Sequence, residues 1–351
     1  RFTLDVVAAA QSAGAACANH LAAAELLRDA GRVVRAVVHD DQTGARFELR
    51  ASAVVVAAGP WAGTFAGSAA PDIERVRGAH LILPAIPGCD RALVLAAPQD
   101  GRAFFVVPWY GRSLVGTTES FVSADHYAQP VAPSAQTRAS LAEQRYLLEA
   151  VAAHLPGLGW TDSDVIASYA GVRSLRRAAT SDLSAISREF ELLTPSPGLW
   201  LPLGGKLTTA RREARGVVDT LLQSLGFAPR PCRTGHTPLP GAPTAAFAEW
   251  HAAEMHELGR RAPVLDPRVL ASLLNRYGTR ARHIIERLQE DPRLAVRLHP
   301  ELPFIAAEIR VAQDEEMALA AEDITRRRIP LAILARAGEW EATAQAWIDP
   351  R

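Results

Sequence analysis

Leu199-Trp200-Leu201-Pro202-Leu203-Gly204-Gly205-Lys206-Leu207-Thr208-Thr209 is an apolar run, a glycine pair and a polar turn, and it leads into the helix-prone Ala210-Arg211-Arg212-Glu213-Ala214. Paired glycines let the backbone approach a flat ligand, and unpaired N–H groups at a helix start favour anionic or electron-rich atoms. The same pattern also makes an ordinary turn. Lysine usage separates the two readings. Of the 38 basic residues, Lys206 is the sole lysine, and all the others are arginine. A compact ammonium is thus kept where the glycines would set a ligand, a group whose protonation burial can tune in a way no guanidinium allows.

Upstream, residues 4–13 read as a helix, and residues 19–25, Val33-Val34-Arg35-Ala36-Val37-Val38-His39 and Arg46-Phe47-Glu48-Leu49-Arg50 read as a β-meander. Ala53-Val54-Val55-Val56-Ala57-Ala58 is continuous and apolar, which predicts a strand buried on both faces of a parallel sheet. It ends in Gly59-Pro60-Trp61, and ligands of open α/β sheets sit beyond such strand ends. From residue 73 to residue 118 short alternating segments predict an antiparallel sheet. Residues 134–155 resume a helical period, 165–169 return to strand, and 186–192 read as a further hairpin. A proline-rich stretch, 228–243, reads as a linker, and the remainder reads as helical.

Composition narrows the function classes. Thirty-eight acids balance 38 bases, so no net field draws a nucleic acid, and no aromatic-basic stripe suits single strands. No apolar run reaches the roughly 18 residues needed to span a bilayer. Cys17, Cys89 and Cys232 have no metal spacing and form an odd set, which suits a reducing compartment.

Seven short motifs then occur in a telling order. They are Ala57-Ala58-Gly59-Pro60-Trp61, Arg77-Gly78-Ala79-His80, Val107-Pro108-Trp109, Val115-Gly116-Thr117-Thr118, Tyr169-Ala170-Gly171-Val172-Arg173-Ser174-Leu175, Ile186-Ser187-Arg188 and Gly204-Gly205-Lys206-Leu207-Thr208-Thr209. In order and spacing the chain resembles the FAD-dependent glycerol-3-phosphate dehydrogenases, strongly to about residue 225 and more weakly over 264–330. The resemblance implies an α/β (α+β) flavoprotein of the D-amino-acid-oxidase-like superfamily. Its expected parts are a partial FAD-binding Rossmann-like domain (1–70, returning at 165–227), an antiparallel substrate-binding sheet (71–164), a linker (228–247) and an all-helical C-terminal domain (248–351). The implied reaction takes sn-glycerol 3-phosphate to dihydroxyacetone phosphate and passes electrons from FAD to a quinone or, in oxidase relatives, to oxygen. It implies a cytoplasmic protein that can sit peripherally on the inner membrane face.

One departure is large. The family opens with a G-x-G-x-x-G turn that grips the FAD pyrophosphate, and no such spacing occurs in these residues. The expectation is a chain truncated at its N-terminal side that holds FAD weakly or not at all by itself. Ala58 and Glu119 stand where the family usually has threonine and aspartate.

Within the resemblance, Arg173 and Arg188 are the candidates for the substrate phosphate, since planar guanidinium forks suit a phosphomonoester. His80 is the candidate base for the hydroxyl proton. Lys206 would hold substrate or stabilise negative charge on the flavin. Gly59, Pro60, Trp61, Gly204, Gly205, Leu207 and Thr208 are candidate flavin contacts, while Thr117 and Thr118 suit local backbone bonding. No metal is expected, and Arg176 and Arg177 read as solvated. Tail arginines Arg276, Arg280, Arg282, Arg287, Arg326, Arg327 and Arg328 suit a solvated face, or a membrane or dimer contact. Two other readings stay open: an amine or amino-acid oxidase of the same superfamily, and a non-catalytic fragment.

Overall fold

The computed structural model describes residues 1–65, 72–123, 138–177 and 187–349. After helix α1 (Phe2–Ser12), strands β1 (Leu21–Asp29), β2 (Arg32–Asp40) and β3 (Arg46–Arg50) form the expected antiparallel meander. Strand β4 (Val54–Val55) is much shorter than its apolar run suggested, and Val55 is 39% exposed. Its strand partner among the described residues lies along one edge, and the exposed Val55 leaves the expected burial on both faces unmet.

The largest sheet gathers β5 (Ile73–Pro84), β6 (Leu93–Ala96), β7 (Ala103–Trp109), β8 (Arg112–Gly116), β9 (Ser120–Phe121) and β10 (Ala167–Arg176). The order is β10-β5-β8-β7-β6, with β9 beside β5, and every pairing is antiparallel. The expected strand at 165–169 therefore runs on through Tyr169-Ala170-Gly171-Val172-Arg173 as the sheet's edge. Two-residue alternation gives β5 two buried faces. Ala79, Leu81 and Leu83 pack with Leu147 and Val151 of helix α2 (Leu141–His154), whose start is fixed by a capping box between Ser140 and Glu143. Ile82, on the other face, joins the core of the C-terminal helices. Each fully buried Leu or Ile contributes about 1.5–3 kcal/mol, so this double seating fixes β5 firmly. Of the helical stretch expected at 134–155, residues 134–137 lie outside the described residues.

Strands β11 (Glu191–Ser196) and β12 (Leu199–Leu203) form a hairpin, and β12 pairs in parallel with β4. The hairpin begins later than 186. Ile186 lies outside the described residues, and the Arg188 carbonyl is taken by Gly205 N–H at 3.2 Å. Helix α3 (Ala210–Ser224) follows the glycine turn, and residues 226–246 carry neither helix nor strand.

Helices α4 (Phe247–Arg261), α5 (Pro267–Tyr277), α6 (Ala281–Glu290) and α7 (Ala306–Glu315) surround one apolar cluster that includes Leu273, Ile284, Phe304 and Ile309. Buried inside it, Arg276 ion-pairs with Glu308, and the Tyr277 hydroxyl donates to Glu308 at 3.0 Å. Burial disfavours the Arg276 charge, yet Glu308 outweighs it and holds the guanidinium above its ordinary pKa. Arg276 and Arg328 are buried and depart from the solvated face expected of the tail's arginines, whereas Arg282 and Arg327 stay exposed. Arg280 meets Glu316, Arg282 meets Glu254, Arg287 meets Asp314 and Glu315, and Arg327 meets Asp323. Arg328 is buried and donates to the Glu316 carbonyl. The N-terminal segment is fastened to these helices by Arg1 to Glu316, Asn19 to the Met317 carbonyl and His20 to Asp323.

Removing one member of a buried ion pair leaves the other charge without a partner in a dry site. Glu308→Ala is expected to lower stability by about 3–5 kcal/mol, seen as a lower urea midpoint with unchanged slope. A loss under about 1 kcal/mol would mean that water reaches Arg276.

Candidate functional site

Register brings the site together. His80 on β5 lies directly opposite Tyr169 on β10 and Gly116 on β8, and Gly78 lies opposite Gly171. Opposed residues share a face, and so do residues two apart. Tyr169, Gly171 and Arg173 therefore stand on the same face as His80 and Gly78. The glycines leave room on that face for the larger groups. A side chain at Gly116 would overlap the His80 ring, and one at Gly78 would meet Thr117 Oγ1 at 2.5 Å and Arg173 Nη1 at 3.1 Å.

In this notch the His80 imidazole stacks flat on Tyr169, with ring centroids 5.0 Å apart and planes 9° from parallel. Its Nδ1 is buried without a hydrogen-bond partner among the described residues. Burial, and then the positive charge of Arg173, push the imidazole pKa below its ordinary value. His80 is accordingly neutral at neutral pH. Burial also raises the Tyr169 phenol.

Between β8 and β9 the chain leaves the sheet for Thr117, Thr118 and Glu119. Thr118 exchanges two bonds with Ala79: its N–H donates to the Ala79 carbonyl at 3.2 Å, and its Oγ1 accepts from the Ala79 N–H at 2.9 Å. These bonds reach a neighbouring strand, and Thr118 Oγ1 also donates to Glu143 at 3.1 Å, so the local backbone role expected of the pair is met by Thr117 alone, whose hydroxyl donates to the Thr118 carbonyl. Glu119 is thereby set against both candidate phosphate ligands. Its Oε1 contacts Arg188 Nη2 and lies 3.5 Å from Arg173 Nη1. Burial and the like charge of Arg188 depress the Arg173 guanidinium, and Glu119 opposes them.

The glycine turn is bound to the same place. Gly204 N–H donates to the Ser174 carbonyl and Gly205 N–H to the Arg188 carbonyl, each at 3.2 Å. These two N–H groups are thus occupied, contrary to the reading that left them free for a ligand. Gly204 has φ +70°, and a Cβ there would run into the Glu189 carbonyl, so glycine is required. Lys206 lies next in the turn, exposed and with no ion-pair partner among the described residues. The exposed position is not the buried one that the lone lysine's place in the turn suggested. Leu207 is 74% exposed and Thr208 is exposed.

Gly59 and Gly204 each stand four residues past the Val55–Trp200 pair, so the parallel strands β4 and β12 run out side by side at glycine turns. A Cβ at Gly59 would meet open space, and the Pro60 carbonyl is fixed by Arg75 Nε at 2.9 Å. Through Ser174 and Arg75 both turns are tied to the β5–β10 pair five residues along from the His80–Tyr169 position. A nucleotide grip needs more, since no G-x-G-x-x-G spacing occurs in the sequence.

The sequence alone did not assign Tyr169 or Glu119 a contact. Tyr169 was quoted for its motif and Glu119 as a departure from a family pattern, but stacking and ion pairing across strands require the register. Arg177 is not simply solvated, since it pairs with Asp72 and Glu74 at 3.2 Å each. His299, read as helical, lies in a bend, where its Nδ1 accepts from the Glu301 N–H. Among the described residues no group of three or more His, Cys, Asp or Glu is placed to hold a metal.

Residues 1–211 match the family described as FAD dependent oxidoreductase, and residues 232–347 match the C-terminal domain of alpha-glycerophosphate oxidase. The chain is 31% identical to a glycerol-3-phosphate dehydrogenase of Synechocystis, covering 95% of this chain and 62% of that protein. It is 28% identical to the aerobic glycerol-3-phosphate dehydrogenase of Staphylococcus haemolyticus, covering 93% and 59%. Among solved structures, the glycerol-3-phosphate dehydrogenase of Bacillus halodurans complexed with FAD superposes with a TM-score of 0.79 at 26% identity, covering 95% and 64%. The chain spans about three fifths of the length of these relatives.

NMR titration of the histidine rings checks the electrostatics of the notch. His80 is expected to titrate below the ordinary imidazole range, and Arg173→Met to move it part of the way back, because burial is the larger cause. A midpoint unmoved by that substitution would separate the two side chains.

Proposed function

The chain belongs to the FAD-dependent oxidoreductases, with FAD as the cofactor, and we propose that it oxidises sn-glycerol 3-phosphate to dihydroxyacetone phosphate. The observation that carries this reading is that Arg173 shares a sheet face with a half-buried, neutral His80 and shares the Glu119 carboxylate with a second guanidinium fork, Arg188. A phosphomonoester needs the forks, and a secondary alcohol needs the base. The names of the relatives agree with that substrate.

We assign the residues as follows. Arg173 and Arg188 bind the phosphate and so fix the distance from the substrate's charged end to its C2 hydroxyl. His80 takes the hydroxyl proton on its neutral imidazole. Tyr169 holds the ring plane. Conversion of the alcohol to a ketone also releases a hydride equivalent, and accepting it is the chemistry that bound FAD supplies. Gly59, Pro60, Trp61, Gly204, Gly205, Leu207 and Thr208 would line the ring's edge, and Lys206 would meet either substrate oxygen or negative charge on the ring. Lys206 is the other candidate for the base, and of the two we favour His80, the half-buried and uncharged one.

We propose a membrane quinone as the electron acceptor. Two relatives are named aerobic glycerol-3-phosphate dehydrogenase. Among the described residues no helix is long and apolar enough to cross a membrane, which suits contact from one face. A homodimer remains part of the same proposal. An amine or amino-acid oxidase is the second reading, favoured by no observation at the arginine pair.

Steady-state kinetics of the FAD-loaded protein tests this. Glycerol 3-phosphate is expected to be oxidised in strong preference to glycerol and to sarcosine. Arg173→Met and Arg188→Met should each raise KM for glycerol 3-phosphate roughly tenfold or more, and His80→Asn should cut kcat by about 10²–10⁴. Lys206→Met should change substrate affinity or the rate of flavin reduction. Comparable turnover of sarcosine would point to the second reading instead.

A further inference from the structure

Three guanidinium groups surround one carboxylate at the site, and the geometry points to a role for that carboxylate. Glu119 has its side chain 12% exposed. Its Oε1 is shared by Arg173 and Arg188, the two groups assigned to the substrate phosphate. Its Oε2 lies 3.7 Å from Arg102 Nη1, which also donates to the Glu119 backbone carbonyl at 3.4 Å. Arg102 is in turn held by Asp100 at 3.6 Å, and Asp100 accepts from the Tyr146 hydroxyl at 2.9 Å.

We propose that Glu119 is a resident anion that occupies the phosphate position between Arg173 and Arg188 until substrate displaces it towards Arg102. The inference rests on the phosphate reading of those two arginines and adds a selection step to it. Two like charges kept close need a counter-charge, and Glu119 is it. An incoming anion must outcompete this carboxylate. A dianionic phosphomonoester has the charge to do so, whereas a monocarboxylate offers the arginines no more than Glu119 already gives. Arg102 makes the exchange feasible, because the displaced carboxylate stays paired instead of being left buried and alone. Glu119 is therefore a specificity-determining residue that never touches the reacting carbon.

Calorimetric titration of the 351-residue chain with inorganic phosphate, and separately with acetate, tests the proposal. Glu119→Gln and Glu119→Ser remove the charge in two different shapes, and circular dichroism identifies the variant that keeps its fold. Either folded variant is expected to bind phosphate roughly fivefold tighter than the parent, a size discounted for partial exposure of the arginines, and to bind acetate measurably where the parent does not. Unchanged or weaker phosphate binding in a folded variant would overturn the proposal and make Glu119 a strut for the arginines. Arg173→Met distinguishes the underlying reading. If phosphate binds the parent and this variant equally, the arginine pair is not the phosphate site, and both claims fall. If Arg173→Met abolishes binding while Glu119→Gln leaves it unchanged, only the resident-anion claim falls.

Discussion

Two guanidinium groups held side by side are the constraint on which the site depends. Arg173 and Arg188 come from different parts of the chain and would repel each other in a partly dry notch. The fold answers this in two ways. Glu119 supplies the counter-charge from the excursion between β8 and β9. The Gly204-Gly205 turn fastens the backbone carbonyls of Ser174 and Arg188 to the same short segment. The glycine pair thus acts less as an open cradle than as a clip, and Lys206 is positioned as a consequence.

The rest of the architecture keeps the notch in register. Strand β5 is packed on one face by α2 and on the other by the C-terminal helical cluster, so His80 sits at the middle of the best-buried strand of the large sheet. A slip of one residue in the β5–β10 pairing would carry Tyr169 away from His80 and Arg173 away from Gly78. The helical cluster contributes through packing and through a buried Arg276–Glu308 pair. Its ion pairs also bind the N-terminal segment.

Much of this was legible in the sequence where local chemistry decides it. The meander and the glycine turn follow from alternation and backbone freedom. Residues quoted as motifs, His80, Arg173, Arg188 and Gly204-Gly205, do converge. What sequence could not supply was anything set by pairing across strands. The stacking of Tyr169 on His80 and the use of Glu119 as a shared counter-ion follow from register alone. The same limit explains the errors. The apolar run at 53–58 is strand over only Val54–Val55, because burial depends on neighbours that local pattern does not name. Arg276 and Arg328 are buried against Glu308 and the Glu316 carbonyl, partners that local pattern does not name.

The account stands on one spatial claim: a phosphate between Arg173 and Arg188 puts the alcohol beside His80. A crystal structure of the FAD-loaded protein soaked with glycerol 3-phosphate tests it most directly. The account predicts phosphate oxygens in hydrogen-bond contact with both guanidinium groups, Glu119 withdrawn to Arg102, and the C2 hydroxyl within hydrogen-bond reach of the His80 ring. Phosphate bound elsewhere, with Glu119 still seated between the two arginines, would contradict it.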